Sequence, residues 1–237
     1  GHQPMHSADG RYIIVFNGEI YNHKQLRKEL ENSTYVNNSS NINWRGHSDT
    51  EVMLAAIMQW GVIEAIQRFT GMFAFALWDR KKKQLYLVRD RIGEKPLYYG
   101  WSNETFLFGS ELKALRACPG WRDEIDREAL ALYMQFNYVP APNTIYQGIK
   151  KLEPGCIAKI TGNGSGHGVE IQKYWSMHDV VSQPHQKIND KTAIERTESL
   201  LRASIKRQMV ADVPLGAFLS GGVDSSLIVA LMQNQSS

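Results

Sequence analysis

The stretch FLSGGVDSSLIVALM, Phe218–Met232, sets two glycines, an acid and a pair of serines between two apolar runs. Pro214–Ser220 (PLGAFLS) reads as a short buried strand, and Ser225–Met232 reads as the opening turns of a helix. A glycine-rich turn between strand and helix aims free backbone N–H groups outward at the helix's positive end, which suits a phosphate. Gly221 and Gly222 let the backbone approach phosphate oxygens with no Cβ in the way. Ser220, Ser225 and Ser226 add hydroxyl donors. Asp224 would repel a phosphate by itself, so it is read either as an N-cap or as a ligand to a magnesium ion bridging phosphates. No lysine follows the glycines, so this is not a P-loop. The bland alternative is an ordinary capped turn.

Other chemistry-bearing residues are sparse. His2 and His6 stand four apart, but Pro4 between them spoils a helical metal-ligand face. The only cysteines, Cys118 and Cys156, lack paired spacing, which argues against a disulfide framework or zinc site and for a reducing, cytoplasmic setting. The net charge of +3 is too small to call for nucleic acid. The one basic run, Lys81–Lys83, falls between two apolar strands and reads as a solvated hairpin turn. No apolar stretch approaches the roughly 20 residues that span a bilayer, and no signal-peptide pattern is present. With 43% hydrophobic and 22% charged residues, the chain has the composition of a globular protein.

The elements that must position these residues can be read in order. Arg11–Phe16 (RYIIVF) is a strand, followed by Asn17-Gly18 as a turn and Asn22 as N-cap of a helix. A helix covers about Thr50 to Trp60, ended by Gly61, and a second runs to about Phe69. The segments GMFAFALWD, QLYLVRD, KPLYYGW and TFLFGS have the pattern of an antiparallel meander. Helices follow at ELKALRA and DREALALYMQFN, then an extended segment from Ile145 to Ile160. Asn37–Asn43 is an exposed loop, and Thr161–Gly168 is a flexible hairpin loop whose glycines open no helix. A polar stretch, Ser176–Asp190, precedes a long helix with Ile194, Leu201 and Ile205 on one face. The first domain is thus mostly antiparallel sheet with helices, and the second opens a strand–turn–helix unit typical of a parallel α/β sheet. The boundary falls between Arg116 and Asp190 and is placed at 150/151.

LSGGVDSS (Leu219–Ser226) resembles the pyrophosphate loop S-G-G-x-D-S-[ST] of the ATP-pyrophosphatase synthetases. FNGEIYN (Phe16–Asn22), SDTEV (Ser48–Val52), GMFAFALWD (Gly71–Asp79), RDRIGEKPLYY (Arg89–Tyr99) and FGSELKAL (Phe108–Leu115) resemble, in that order, segments of glutamine-hydrolysing asparagine synthetases. Each string is weak alone; the ordered set spans nearly the whole chain. The resemblance implies an N-terminal-nucleophile glutaminase over 1–150, an α+β sandwich of two antiparallel sheets between helices (αββα). It implies over 151–237 a linker and the start of an α/β parallel-sheet ATP-binding domain. In such an enzyme Asn17 and Gly18 donate to the oxyanion formed on glutamine, and Glu19 and Asp49 bind its α-ammonium group. Leu219 gives a backbone contact to the nucleotide, while Ser220, Gly221, Gly222, Asp224, Ser225 and Ser226 cradle pyrophosphate. The implied reaction amidates aspartate through an aspartyl adenylate, with ATP and Mg2+ as cofactors and room for a homodimer. From the residues alone, Asn17-Gly18 could be only a turn, and Asp49 only a helix cap.

The chain also departs from that pattern. The implied nucleophile is an N-terminal cysteine whose own α-amine serves as base, yet this sequence opens with Gly1, and its cysteines are internal. The expectation is a piece of a longer catalyst, inactive by itself, with apolar surface uncovered around Ala217–Leu231. Two other readings stay open: an enzyme of the same architecture acting on a peptide, sugar acid or cell-wall carboxylate, and a non-catalytic interaction module.

Overall fold

The computed structural model describes residues 2–36, 42–161, 168–184, 187–210 and 214–236. The two expected loops at 37–43 and 161–168 lie mostly outside them. In chain order the elements are β1 (Met5–His6), β2 (Tyr12–Ile20), α1 (His23–Val36), α2 (Asp49–Trp60), α3 (Val62–Arg68), β3 (Gly71–Asp79) and β4 (Gln84–Arg89). There follow β5 (Tyr98–Ser102), β6 (Thr105–Gly109), α4 (Leu112–Arg116), α5 (Arg127–Phe136), β7 (Ile149–Lys151), β8 (Cys156–Thr161) and β9 (Val169–Lys173). Three helices end the chain: α6 (Met177–Val181), α7 (Asp190–Gln208) and α8 (Val223–Gln233).

The strands form two sheets, β1-β2-β3-β4-β8-β9 and β6-β5-β7. All described pairings are antiparallel. The central strand β3 is a nearly unbroken apolar run, Phe73 to Leu77, because both of its faces are covered. On one face Phe73, Phe75 and Leu77 pack with Leu26 and Leu30 of α1, Met53 and Ile57 of α2 and Ile66 of α3. On the other, Ala74 and Ala76 meet Leu97 and Tyr99 of the smaller sheet side, and their small size lets the sheets approach. Helix α4 packs on β6 with Leu115 buried.

The meander expectation is half right. β3–β4 and β5–β6 are hairpins, but they belong to different sheets. β4 takes β8 as its other neighbour and β5 takes β7. The switch is made in the turn after Arg89, described below. Asn17-Gly18 is likewise no turn, because β2 runs on to Ile20 in continuous register with β3. Asn22 does not cap α1 with its side chain: its Oδ1 accepts from the Thr70 N–H and its Nδ2 donates to the Arg68 carbonyl, tying the helix entry to the start of β3.

The chain divides into two compact units, Gly1–Val180 and Val181–Ser237, so β8 and β9 lie in the first, beyond the boundary placed at 150/151. In the second unit α7, capped by Asn189, packs against α8 with Ile205 and Leu231 buried. Of the residues expected to share one face of α7, Ile205 is buried and Ile194 is 67% exposed. The expected strand at Pro214–Ser220 does not form; a strand needs a neighbour to share its ladder, and none of the described strands lies in this unit. Phe218 and Leu219 are accordingly exposed. Among the described residues no helix is long and apolar enough to cross a membrane.

The end of β3 is fixed by Asp79. Arg11 donates to it through Nε at 3.1 Å and Nη2 at 2.7 Å, and the Lys81 and Lys82 amides donate to Oδ1 at 2.9 and 3.1 Å. Burial pushes this carboxyl up, but the Arg11 hydrogen bond and the two amides outweigh it and hold it below the usual range. A lowered folded value means the stabilisation is present above the unfolded value, about 3.9, and is lost as pH falls through the folded one. Asp79→Asn should therefore be less stable than the parent at pH 7 by about 1–2 kcal/mol. The gap should begin to narrow below about pH 3.9 and close as the pH falls through the lower folded value, as read from urea midpoints across pH.

Candidate functional site

The last residues of β2 carry the first site. Every second residue of this strand turns its backbone polar groups toward the β1 edge. Tyr12 N–H meets Ser7 Oγ at 2.9 Å there, Phe16 N–H meets Gln3 Oε1 at 2.7 Å, and Ile20 N–H meets Asp49 Oδ2 at 3.0 Å. Gly18 has the same parity. Its register partner, Phe73, turns both polar groups the other way, to Asp90. The Gly18 N–H therefore points at the open edge, between two amides already taken, and has no partner in the described hydrogen bonds.

Only glycine fits this position. At φ +152°, a Cβ on Gly18 would overlap the Met72 carbonyl oxygen and stand 2.6 Å from Phe73 Cα. The neighbours of Gly18 on the strand, Asn17 and Glu19, are two residues apart and share one face of the sheet. Asn17 is exposed, and its Nδ2 donates to Ser110 Oγ at 3.0 Å, reaching from the large sheet to the residue just after β6. Ser110 lies in one of the quoted strings but drew no role from sequence, since only folding brings it to Asn17. Glu19 is half-buried.

Asp49 is not the helix cap. Ser48 caps α2, accepting the Glu51 N–H. Asp49 keeps Oδ1 on its neighbour Thr50, at 2.7 Å from the amide, and sends Oδ2 to Ile20 N–H. The structure thus brings Asn17, Gly18, Glu19 and Asp49 together at one strand end, with the Asp49 carboxylate on the amide that follows Glu19. The Tyr21 phenol next in line is pushed up to about 12, by burial first and then by the charges of Glu94, Glu19 and Asp90.

Behind this edge lies a pair of buried charges whose role sequence reading missed. Arg89 donates to three backbone carbonyls, Lys95, Leu152 and Gly93, at 2.7, 2.6 and 2.6 Å. Burial lowers its guanidinium from the ordinary value and the Asp90 charge opposes that. Asp90, fully buried, accepts five backbone N–H groups. All their partners are main chain, so no residue pattern announces them.

The second unit carries the other candidate. Gly222 precedes the first turn of α8 without a side-chain cap, so Asp224, in that first turn, is not the N-cap foreseen as one of its two roles. Ser220 Oγ and Ser225 Oγ lie 2.9 Å apart, and the Ser225 and Ser226 hydroxyls donate to the Gly222 carbonyl at 3.0 and 2.8 Å. Gly221 turns at φ +81° with open space where a Cβ would be. The hydroxyls gather around a helix start whose first amides lack intrahelical partners. Leu219 is 64% exposed beside them. Among the described residues no group of three or more His, Cys, Asp or Glu could hold a metal. Cys156 is buried and Cys118 partly so; both are free thiols.

Residues 1–175 match the glutamine amidotransferase domain family, and 196–237 match the asparagine synthase family. The chain is 40% identical over 231 residues to asparagine synthetase [glutamine-hydrolyzing] 1 of Bacillus subtilis, covering 98% of this chain and 34% of the relative. It is 34% identical over 250 residues to a putative asparagine synthetase [glutamine-hydrolyzing] 2 of Methanocaldococcus jannaschii, covering 98% of this chain and 45% of that protein. The chain thus spans about a third of the first relative and less than half of the second. Among solved structures, the allosteric regulatory enzyme of purine biosynthesis superposes with a TM-score of 0.50 at 16% identity, over 97% of this chain and 45% of that one, a likeness of fold alone. Sandwiched antiparallel sheets and a family match over residues 1–175 agree: this chain belongs to the glutamine amidotransferase domain family.

Proposed function

We propose that the first unit is the ammonia-releasing part, and the second unit a piece of the ATP-splitting part, of a glutamine-hydrolysing asparagine synthetase. The observation that carries the reading is the unpartnered Gly18 N–H at the strand edge. A rigid donor on a paired strand costs little reorganisation when charge develops beside it, and one such donor lowers a barrier by about 2.7–4 kcal/mol. Asn17 Nδ2 supplies the second donor by exchanging Ser110 for the substrate oxygen. Glu19 and Asp49 hold the α-ammonium group of glutamine. Attack of a thiolate on the side-chain amide gives a tetrahedral oxyanion held by these two donors; its collapse releases ammonia and leaves a γ-glutamyl thioester, which water hydrolyses to glutamate and free thiol. The attacking thiolate of this family belongs to an N-terminal cysteine, a part that neither Cys118 nor Cys156 can play, since an internal residue has no free α-amine.

In the second unit Ser220, Gly221, Gly222, Ser225 and Ser226 hold the pyrophosphate portion of ATP, with Leu219 contributing main chain to the nucleotide. Aspartate's side-chain carboxylate displaces pyrophosphate from ATP to give the aspartyl adenylate, and ammonia then displaces AMP to give asparagine. Asp224 is the residue that would hold Mg2+, a fit for an ion that takes one or two carboxylates and fills its shell with phosphate and water. Bound there, the ion neutralises phosphate charge.

Three outcomes check this reading. The product of the complete reading frame, given glutamine, aspartate, ATP and Mg2+, should yield asparagine, glutamate, AMP and pyrophosphate in equal amounts; ATP left untouched with aspartate present overturns it. In this chain, glutamine should move the amide resonances of Asn17, Gly18, Glu19 and Asp49, and Glu19→Gln should weaken that binding about tenfold, the equivalent of about 1.4 kcal/mol. Gly18→Ala should abolish the glutamine response and lower the urea midpoint, with a loss of about 1–3 kcal/mol from the forced overlap with Met72 and Phe73.

A further inference from the structure

We propose that Asp90 is a positioning residue for the Gly18 amide, a role that rests on the ammonia-releasing reading above. Its carboxylate is 0% exposed and gathers five main-chain donors. Oδ2 takes the N–H of Phe73 at 3.2 Å and of Lys95 at 2.9 Å. Oδ1 takes those of Ile92 at 3.2 Å, Gly93 at 2.6 Å and Glu94 at 2.9 Å. The Asp90 main chain closes the same link: its N–H donates to the Phe73 carbonyl at 2.8 Å, and its own carbonyl accepts from Gly155 at 2.8 Å.

Phe73 is the register partner of Gly18. Its amide and its carbonyl are both held by Asp90, on the side of β3 that faces away from β2. On the near side, Gly18 approaches so closely that a Cβ would stand 2.6 Å from Phe73 Cα. No room is left between the two backbones for a side chain, so a shift of Phe73 is felt directly by Gly18 across the register pair. Ile20 and Phe16 pin the strand on either side of Gly18, through Asp49 and Gln3. The remaining freedom of Gly18 is therefore set by where Phe73 sits, and Asp90 sets that. Asp90 itself touches no substrate, since it is buried behind β3. Arg89 holds the far side of the same turn through the Gly93 and Lys95 carbonyls and does not bond Phe73.

The test compares two damaged turns. Asp90→Asn replaces one carboxylate oxygen by a donor and leaves at least one amide of the set unpaired. Gly93→Ala, at φ +73° with its Cβ 2.8 Å from Pro154 Cγ and 2.9 Å from Arg89 Cζ, strains the turn but keeps the Asp90–Phe73 bonds. In 15N–1H spectra of this chain, Asp90→Asn should move the Phe73 and Gly18 amides while α1 and α2 stay put, and Gly93→Ala should move the turn alone. Equal Gly18 displacement in both variants, or none in Asp90→Asn, overturns the proposal. If Asp90→Asn does not fold, Asp90→Glu is judged by the same comparison. In the product of the complete reading frame, Asp90→Asn should lower kcat for glutamine hydrolysis about tenfold or more with KM nearly unchanged, the mark of a contact made in the transition state. A raised KM at unchanged kcat also overturns it. Absence of any glutamine hydrolysis in the unaltered protein would instead sink the ammonia-releasing reading, and the spectra alone would then decide whether Asp90 positions Gly18.

Discussion

A buried carboxylate surrounded by main-chain amides is the interaction on which the first unit turns. An ionised group taken out of water costs several kcal/mol even after the protein relaxes, and it persists only where donors replace the lost solvent. Asp90 meets that condition with amides from β3 and from the turn after β4. Arg89 meets its mirror image with three carbonyls. The two charges are neighbours in sequence yet spend their hydrogen bonds on the backbone rather than on each other. That is what allows the chain to leave one sheet at Arg89 and enter the other at Tyr98 while keeping its polar groups satisfied. The sheet switch is made in this turn, and Asp90 bonds Phe73, which sits beside Ala74 on β3 and in register with Gly18 on β2.

The site at the end of β2 inherits its rigidity from the same arrangement. A donor on a loop would have to be held by something else; a donor on a nine-residue strand is held by the ladder itself. What frees the Gly18 N–H is that β1 is only two residues long and ends its pairing at Ile14. Beyond it, side chains substitute for strand: Gln3 both accepts from and donates to Phe16, and Asp49 accepts from Ile20. The gap between those two substitutions is one residue wide along that edge.

Much of this was legible in the sequence, and the parts that were not share a cause. Period-two alternation and apolar runs mark β2, β3 and β4, and Ser48 and Gly61 bracket α2, because these signals are local. Lys81–Lys83 does form the turn between β3 and β4. Asn17-Gly18 misled because that dipeptide is the strongest short-range turn signal, whereas here the glycine is demanded by a strand lying across it. Sheet membership of β5 misled because a hairpin pattern does not say which neighbour lies on its other side. Asn22 and Asp49 each looked like helix caps and each reaches across to another element, a choice made only once tertiary partners exist. Asp90 and Arg89 were visible as charges and silent as to purpose, since amide and carbonyl partners have no letter in the sequence. Pro214–Ser220 shows the limit from the other side: a strand-like pattern with no neighbour forms no strand and is exposed.

On the proposed reading both candidate sites offer main-chain N–H groups from glycine-bearing segments to an anion, yet their surroundings are electrically opposite. At Gly221 and Gly222 a helix start presents partial positive charge beside three hydroxyls, two of which would have to release the Gly222 carbonyl to serve a ligand; apart from Asp224 this suits a permanent polyanion accompanied by a cation. At Gly18 two carboxylates, Glu19 and Asp49, stand within a residue or two of the free donor. By themselves they would oppose any negative charge forming there, by Coulomb repulsion that grows as water is excluded. On the proposed reading the α-ammonium group of the substrate resolves the conflict, because it lies between the carboxylates and the developing oxyanion. An amide lacking that ammonium would meet the same donors against an uncompensated field. Discrimination for an amino acid over a simple amide would then appear in the rate of the chemical step as well as in binding, since the same cation that is recognised also permits the oxyanion to form.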